Sequence, residues 1–218
     1  SGKISETRSW EIPDNMKPHY SELMNVDKEV LRRDDWQGFV SREVLKDADG
    51  GLTLLGEQYF KIVEMRQTSE GKPLKVTRYH YNDLLVCKID AAGILQWVKR
   101  LPKWQHKSFK SYKVIEGKEG RYFVYLDSRR NVNRGIDRRP LSLVDGDEGY
   151  LTSYYVSNEG EVTRKLIFDS KRLKNKDGKN VAVYKFKRDY IIPTGVGKFV
   201  LEYYKKKKED VLIQVELD

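Results

Sequence analysis

From Trp36 to the end of the chain, apolar residues recur at every second position, in runs punctuated by glycine-bearing turns. That alternation is the mark of strands with one face turned inward and the other turned to water. In the first run Phe39, Ser41, Glu43 and Leu45 alternate with Val40, Arg42 and Val44, and the segment from Asp47 to Gly51 (Asp-Ala-Asp-Gly-Gly) closes it as a turn. Leu52 to Leu55 reads as a short buried strand continuing towards Ile62. The polar stretch Gln67 to Pro73 breaks the pairing, and Val76 to Tyr81 resumes it. Leu84 to Asp90 is a strand, Ala91 to Gly93 its turn, and Ile94 to Val98 the antiparallel return.

The same order of elements follows twice more. The second passage runs through Phe109 to Ile115, a turn at Glu116 to Gly120, Tyr122 to Leu126, Tyr150 to Val156, a turn at Ser157 to Gly160, and Val162 to Phe168. The third runs through Val181 to Ile192, a turn at Pro193 to Gly197, Phe199 to Tyr204 and Val211 to Leu217. Gly50, Gly120 and Gly197 each stand two residues before the large apolar residue that opens a buried strand: Leu52, Tyr122 and Phe199. Gly50 to Gly120 is 70 positions and Gly120 to Gly197 is 77, so the variation falls in the loops. The expectation is an all-β domain over residues 36–218, built from three four-stranded antiparallel meander units at about 36–105, 106–172 and 173–218. Residues 1–35 form an arm, in which the spacing of Tyr20, Leu23, Met24, Val30 and Leu31 predicts one short helix over 19–33. The core is expected at Leu54, Val86, Ile89, Trp97, Phe123, Tyr125, Tyr154, Val200 and Leu201.

The segment Asp49-Gly50-Gly51-Leu52 to Gly56, followed by Asp83 to Trp97 with Lys88-Ile89-Asp90-Ala91-Ala92-Gly93, resembles one blade of a family of bacterial β-propeller-like repeats. Those blades read Asp-Gly-Gly, apolar strand, Gly, loop, Asp, strand, Lys-Leu-Asp-x-x-Gly-x-x-x-Trp. The second unit keeps the turn at Asn158-Glu159-Gly160 but has Arg164 where the first has Trp97, and the third keeps only the strand pattern. The resemblance spans residues 36–218. It implies a propeller-like stack or, since three units are fewer than the four or more that close a propeller, a curled sheet or barrel. It also implies an extracytoplasmic location, in the periplasm or at the cell surface, and, if the fold is a propeller rather than a curled sheet or barrel, that the chain is part of a longer protein.

The charge is basic, 42 Lys+Arg against 33 Asp+Glu for a net +9, with both signs interspersed. Basic blocks stand at Lys99 to Lys113, interleaved with Trp97, Trp104, Phe109 and Tyr112; at Arg129, Arg130, Arg134, Arg138 and Arg139; and at Lys205 to Lys208. A single cysteine, Cys87, excludes an internal disulfide, and no run of residues is long and apolar enough for a membrane helix. Asp47, Asp49, Asp145, Asp147 and Glu148 have the oxygen chemistry of Ca²⁺ ligands but also that of turn residues, and neither stretch forms a complete ligand loop. His19, His80 and His106 lack metal-ligand spacing and a nucleophile partner. No catalytic residue, metal ligand or cofactor is therefore assigned. The expected function is a non-catalytic module that binds a protein or glycan partner through its long loops, Gln67 to Tyr81 and Ser128 to Asp145. Trp97, Trp104, Arg129, Arg130 and Arg134 are the candidate binding residues. Two other classes stand beside it: a carbohydrate-active enzyme or sugar-binding domain with the tryptophans as platforms, and a nucleic-acid-binding domain on the basic stretches. The interspersed acids disfavour the latter.

Overall fold

The computed structural model describes residues 7, 9–11, 13, 16, 36–106, 112–143, 149–169, 178, 191–205 and 209–217. The chain is all-β, and its strands fall into three antiparallel sheets. In sheet 1, β1 (Trp36–Lys46), β2 (Leu52–Gln67), β3 (Pro73–Ile89) and β4 (Leu95–Leu101) lie side by side in chain order, and the two-residue β5 (Gln105–His106) pairs with β3. Sheet 2 is β6 (Lys113–Glu116), β7 (Gly120–Ser128), β8 (Gly149–Ser157) and β9 (Val162–Asp169), again in chain order. Sheet 3 is β10 (Ile191–Gly195), β11 (Lys198–Lys205) and β12 (Glu209–Glu216), three strands among the described residues where four are expected. Among the described residues none of the sheets closes on itself into a barrel. The expected helix over 19–33 and most of the expected strand from Val181 lie outside the described residues.

Strand β7 shows why the sheets stack. Its residues from Tyr122 to Ser128 are all buried, so both faces are covered. Tyr122, Val124 and Leu126 point one way, into a core with Ile191, Phe199, Leu201 and Val215 of sheet 3. Phe123 and Tyr125 point the other way, into a core with Leu55, Leu84, Val86 and Leu101 of sheet 1. Sheet 2 is the middle layer. Six of the nine expected core residues are buried, while Leu54, Trp97 and Val200 are half-buried. Leu55, one place along from Leu54, takes the inward position, because the side of β2 that faces sheet 2 carries Thr53, Leu55 and Glu57.

The stack has two unlike ends. The short turns after β1, β3, β6, β8 and β10 gather at one end, with Gly50, Gly93, Gly160 and Gly197 supplying the positive φ that tight hairpins need. Gly120 is different: its φ is ordinary, and it is glycine because a Cβ there would strike the carbonyl of Val156 on β8. The longer connections after β4 and β7 gather at the opposite end. The expected loop over Gln67 to Tyr81 is corrected: β2 and β3 run unbroken to a tight turn in which Thr68 and Lys72 pair, and project as a two-stranded arm. In the same way β10 continues to Gly195, past Pro193.

Candidate interface at the loop end

The connection after β7 begins as a single 3-10 turn, Arg129–Asn131. Asn131 is completely buried and acts as a staple. Its Nδ2 donates to Asp127 Oδ1 at 2.7 Å and to the Leu141 carbonyl at 2.9 Å, and its Oδ1 accepts from the Leu141 amide at 2.8 Å. From β9, Arg164 donates to the carbonyl of Asn131 at 2.8 Å and to that of Arg134. Leu143, buried in the core, donates its amide to the Trp104 carbonyl at 3.2 Å. The loop is thereby tied to sheet 2 at its base and to the segment after β4 at its far side.

This anchoring positions the arginines. Arg130, Arg134 and Arg138 surround an open hollow with Asn133, Gly135 and Asp137. Arg130 donates to the Ser142 carbonyl at 3.2 Å and Arg134 donates to the Arg139 carbonyl. Three arginines and a single acid thus line the hollow, and guanidinium forks suit carboxylate, sulfate and phosphate. Beneath them, burial pushes Asp127 up to about 6, against the hydrogen bonds from Asn131 and Ser128. Burial likewise pushes Asp83 up to about 6, although Arg100 lies 3.8 Å away.

The five predicted binding residues are not all together. Arg130 and Arg134 share the hollow. Arg129 turns aside, pairs with Asp169 and lies 5.4 Å from the Tyr150 ring centre. Trp104 stands beside the loop, with the Arg139 guanidinium 4.7 Å over its ring. Trp97 belongs to the turn end. Its indole N–H donates to the Asn158 carbonyl at 2.9 Å, and it fills the space where a Cβ on Gly160 would sit.

Of two further charge clusters, the first ties sheet 1 together and the second joins it to sheet 2. Lys103 is fully buried, and its Nζ donates to Glu57 Oε1 at 2.6 Å, to the Tyr81 carbonyl at 3.0 Å and to Gln105 Oε1 at 3.3 Å. Arg42 reaches the other oxygen of Glu57 at 3.0 Å. Burial lowers the Lys103 ammonium, with Glu57 opposing. Lys103 therefore leaves the solvated basic stretch to which the sequence assigns it. At the turn end, Asp47 accepts from Lys88 at 2.6 Å, from Thr53 at 2.9 Å and from Arg121 of sheet 2. Burial pushes the Asp47 carboxyl up, but hydrogen bonds from Lys88, Arg121 and Thr53 outweigh it and hold the group below its ordinary value. Asp49 accepts from Lys88 at 2.9 Å. Where oxygen ligands hint at Ca²⁺, Lys88 and Arg121 already supply the positive charge. Asp145, Asp147 and Glu148 lie outside the described residues, and the described residues hold no group of three or more His, Cys, Asp and Glu placed for a metal ion.

His80 and His106 face each other across β3 and β5, with ring centres 4.7 Å apart. Burial, then the neighbouring His106, depresses His80 to about 4. Burial raises the Cys87 thiol to about 11, which keeps it protonated and a poor nucleophile. The sequence reading missed Asn131, Arg164 and the Glu57–Lys103 pair. None of them carried a signal: with Leu54 expected inward, Glu57 falls on the outward phase of β2. Compared with family models, with curated proteins and with solved structures, the chain finds no match.

Proposed function

We propose that the chain is a non-catalytic, extracytoplasmic β-repeat module that binds a protein or glycan partner, and that the bound feature is anionic and sits in the hollow formed by Arg130, Arg134 and Arg138. The observation that carries this reading is the construction beneath the hollow. A buried asparagine and an arginine from a neighbouring strand hold the loop by five hydrogen bonds, so the three guanidinium groups start from a preorganised scaffold. Sugar stacking is the weaker reading, because Arg139 covers Trp104 and Trp97 is packed against Gly160.

The repeat is part of the proposal, and the turn registers support it. The pairs that close the hairpins are Asp47–Gly51, Gly117–Gly120 and Gly195–Lys198. Counting three residues on from each gives Leu54, Phe123 and Leu201, and the latter two both face the preceding sheet. Counting four gives Leu55, Val124 and Glu202, and the first two both face the following sheet. The units thus stack in one sense, as blades of a propeller-like repeat do. This register departs by one place from a count based on Gly50 and Gly197.

The test is binding of the full chain to immobilised sulfated and carboxylated polysaccharides and to an acidic peptide. Reversing Arg130, Arg134 and Arg138 together to Glu should weaken binding at least about tenfold, from the loss of charge-assisted hydrogen bonds. It should also flatten the salt dependence. Unchanged affinity with an intact fold would place the site elsewhere.

A further inference from the structure

A sheet edge presents unpaired backbone N–H and C=O groups, and folded chains blunt such edges with short strands, lysine, proline or bulges. Among the described residues, five of the six strands that end the three sheets are blunted in this way. β6 is four residues long, and β10, at five, carries Pro193 and a break in register. β1 has two such breaks. The fourth strands β4 and β9 each have one break and an adjacent basic pair, Lys99–Arg100 and Arg164–Lys165. β12 has none of these devices. Its eight residues run in unbroken register with β11 and include no proline and no lysine. Its outward groups follow from the ladder. Leu217 donates its amide to the Gly197 carbonyl at 2.7 Å, so Lys198 and Glu216 stand opposite each other without a backbone bond between them. Such pairs alternate along an antiparallel ladder, so Leu212, Gln214 and Glu216 turn their N–H and C=O groups away from β11. All three residues are exposed, Leu212 at 72%. Among the described residues no strand pairs with this edge.

We propose that the edge of β12 takes up an extended segment of a partner protein as the fourth strand of sheet 3, and that this segment alternates apolar residues with Lys or Arg. The two four-strand sheets define the occupant. In each, the fourth strand runs antiparallel to the third and closes the fringe of a core, with Trp97 of β4 on one and Ile167 and Phe168 of β9 on the other. In sheet 3 the matching fringe, Ile213 and Leu217, is half-buried. Both fourth strands are basic, whereas β12 carries Glu209, Asp210 and Glu216 and no basic residue. Glu216 meets Lys198 at 2.8 Å, but both side chains are exposed and such pairs are weak. A second copy of the chain fits worse. β12 laid antiparallel on β12 about Ile213 sets Asp210 opposite Glu216 at both ends, and like charges directly opposite destabilise a ladder. Strand addition draws its affinity from the backbone ladder and its selectivity from alternate side chains. Nothing in it rests on the arginine hollow.

The experiment is amide hydrogen exchange on the full chain, alone and titrated with a short synthetic peptide that alternates Val with Lys. In the free chain the amides of Leu212, Gln214 and Glu216 should exchange at least about tenfold faster than those of Ile213 and Val215, which bond to β11. Peptide at up to about 1 mM should slow those three about tenfold. The same peptide N-methylated at alternate residues keeps its side chains but loses the donors of one edge, and should not bind. A peptide alternating Val with Glu should protect the three amides at least about tenfold more weakly. Gln214→Pro removes an outward donor and no bond to β11, and should cut affinity at least about tenfold. Leu212→Lys guards the edge with the side chain has not changed on β11, and should act in the same direction. Circular dichroism checks both folds, and Leu212→Lys carries the test if the proline variant fails to fold. Three amides already slow in the free chain at every concentration overturn the proposal. So does protection that appears only as the chain itself is concentrated, an N-methylated peptide that binds as well, or unchanged affinity in the folded variants.

Discussion

At the turn end of the stack, Asp47 lies between Lys88 and Arg121, and its carboxyl is held below the ordinary value. At the loop end, Asp83 and Asp127 are buried more completely than their partners can offset, and both rise to about 6. Both ends put carboxylates against cations, so charge pairing alone does not set the sign. What differs is whether the cations reach the carboxylate closely enough to overcome its lost hydration: Lys88 stands at 2.6 Å from Asp47, while Arg100 stands at 3.8 Å from Asp83. The consequence for pH follows. Asp47 contributes stability that is present above its ordinary value and lost as pH falls. Asp83 and Asp127 contribute stability that is present below theirs and lost as pH rises towards and through about 6. Between about pH 4 and 6 the loop end therefore loses stability while the turn end holds its own, and below about pH 4 the turn end weakens in turn.

Four measurements break or sharpen this contrast. The largest effect belongs to neither end. Phe123→Ala empties the fully buried centre of the joint between sheets 1 and 2 and should cost about 3 to 5 kcal/mol in denaturant unfolding. A loss under about 1 kcal/mol would deny that this joint is a packed core. Next comes the pair Lys103→Met and Arg121→Met. Lys103→Met leaves Glu57 with Arg42 alone in a dry site and should cost about 3 kcal/mol. Arg121→Met leaves Asp47 with Lys88 and Thr53 and should cost about 1 kcal/mol. Equal costs would erase the distinction between the ends. Asn131→Ala removes three hydrogen bonds from the loop base and should cost about 2 kcal/mol locally. Amide exchange at Leu141 should then quicken about thirtyfold with little change at Val124, and uniform quickening would mean the loop is not a separate unit. The smallest is Asp127→Asn. Relative to the parent, its stability should improve by about 1 to 2 kcal/mol on going from pH 4.5 to pH 7, because the parent loses the contribution of its protonated carboxyl over that interval. Parallel profiles would show that Asp127 does not titrate there.

The fold was legible wherever the alternation of side chains was regular. The order of strands in sheets 1 and 2, and the tight turns at Gly50, Gly93 and Gly160, follow from spacing alone. Gln67 to Pro73 misled, because polar residues in an arm wet on both faces carry no alternation, yet backbone pairing continues through them. Leu54 and Leu55 differ by one place, and nothing in a two-residue run of leucines says which turns inward. At the candidate site, the clustering of Arg129, Arg130 and Arg134 was visible, but not the separation of Arg129 from the others, since its partner Asp169 lies 40 positions away. Asn131 looks like any turn residue until Leu141 and Arg164 arrive from distant places to bond it. Charges such as Lys103 read as solvent-facing because lysine usually is. The phase of Glu57 gave no hint either, because it depends on which of Leu54 and Leu55 turns inward.

Within each sheet every principal pairing joins strands consecutive along the chain, and β5 closes back on β3 after one intervening strand. Each sheet can therefore assemble from a local length of polypeptide, with small loop-closure entropy and no wait for distant sequence. The middle sheet has no such independence in burying its surface, because alternate residues of β7 need a neighbour on each side. During synthesis the first sheet emerges with Leu55, Leu84 and Val86 still wet, and they stay so until Phe123 leaves the ribosome. Over that interval the nascent chain carries its greatest risk of sticking to others.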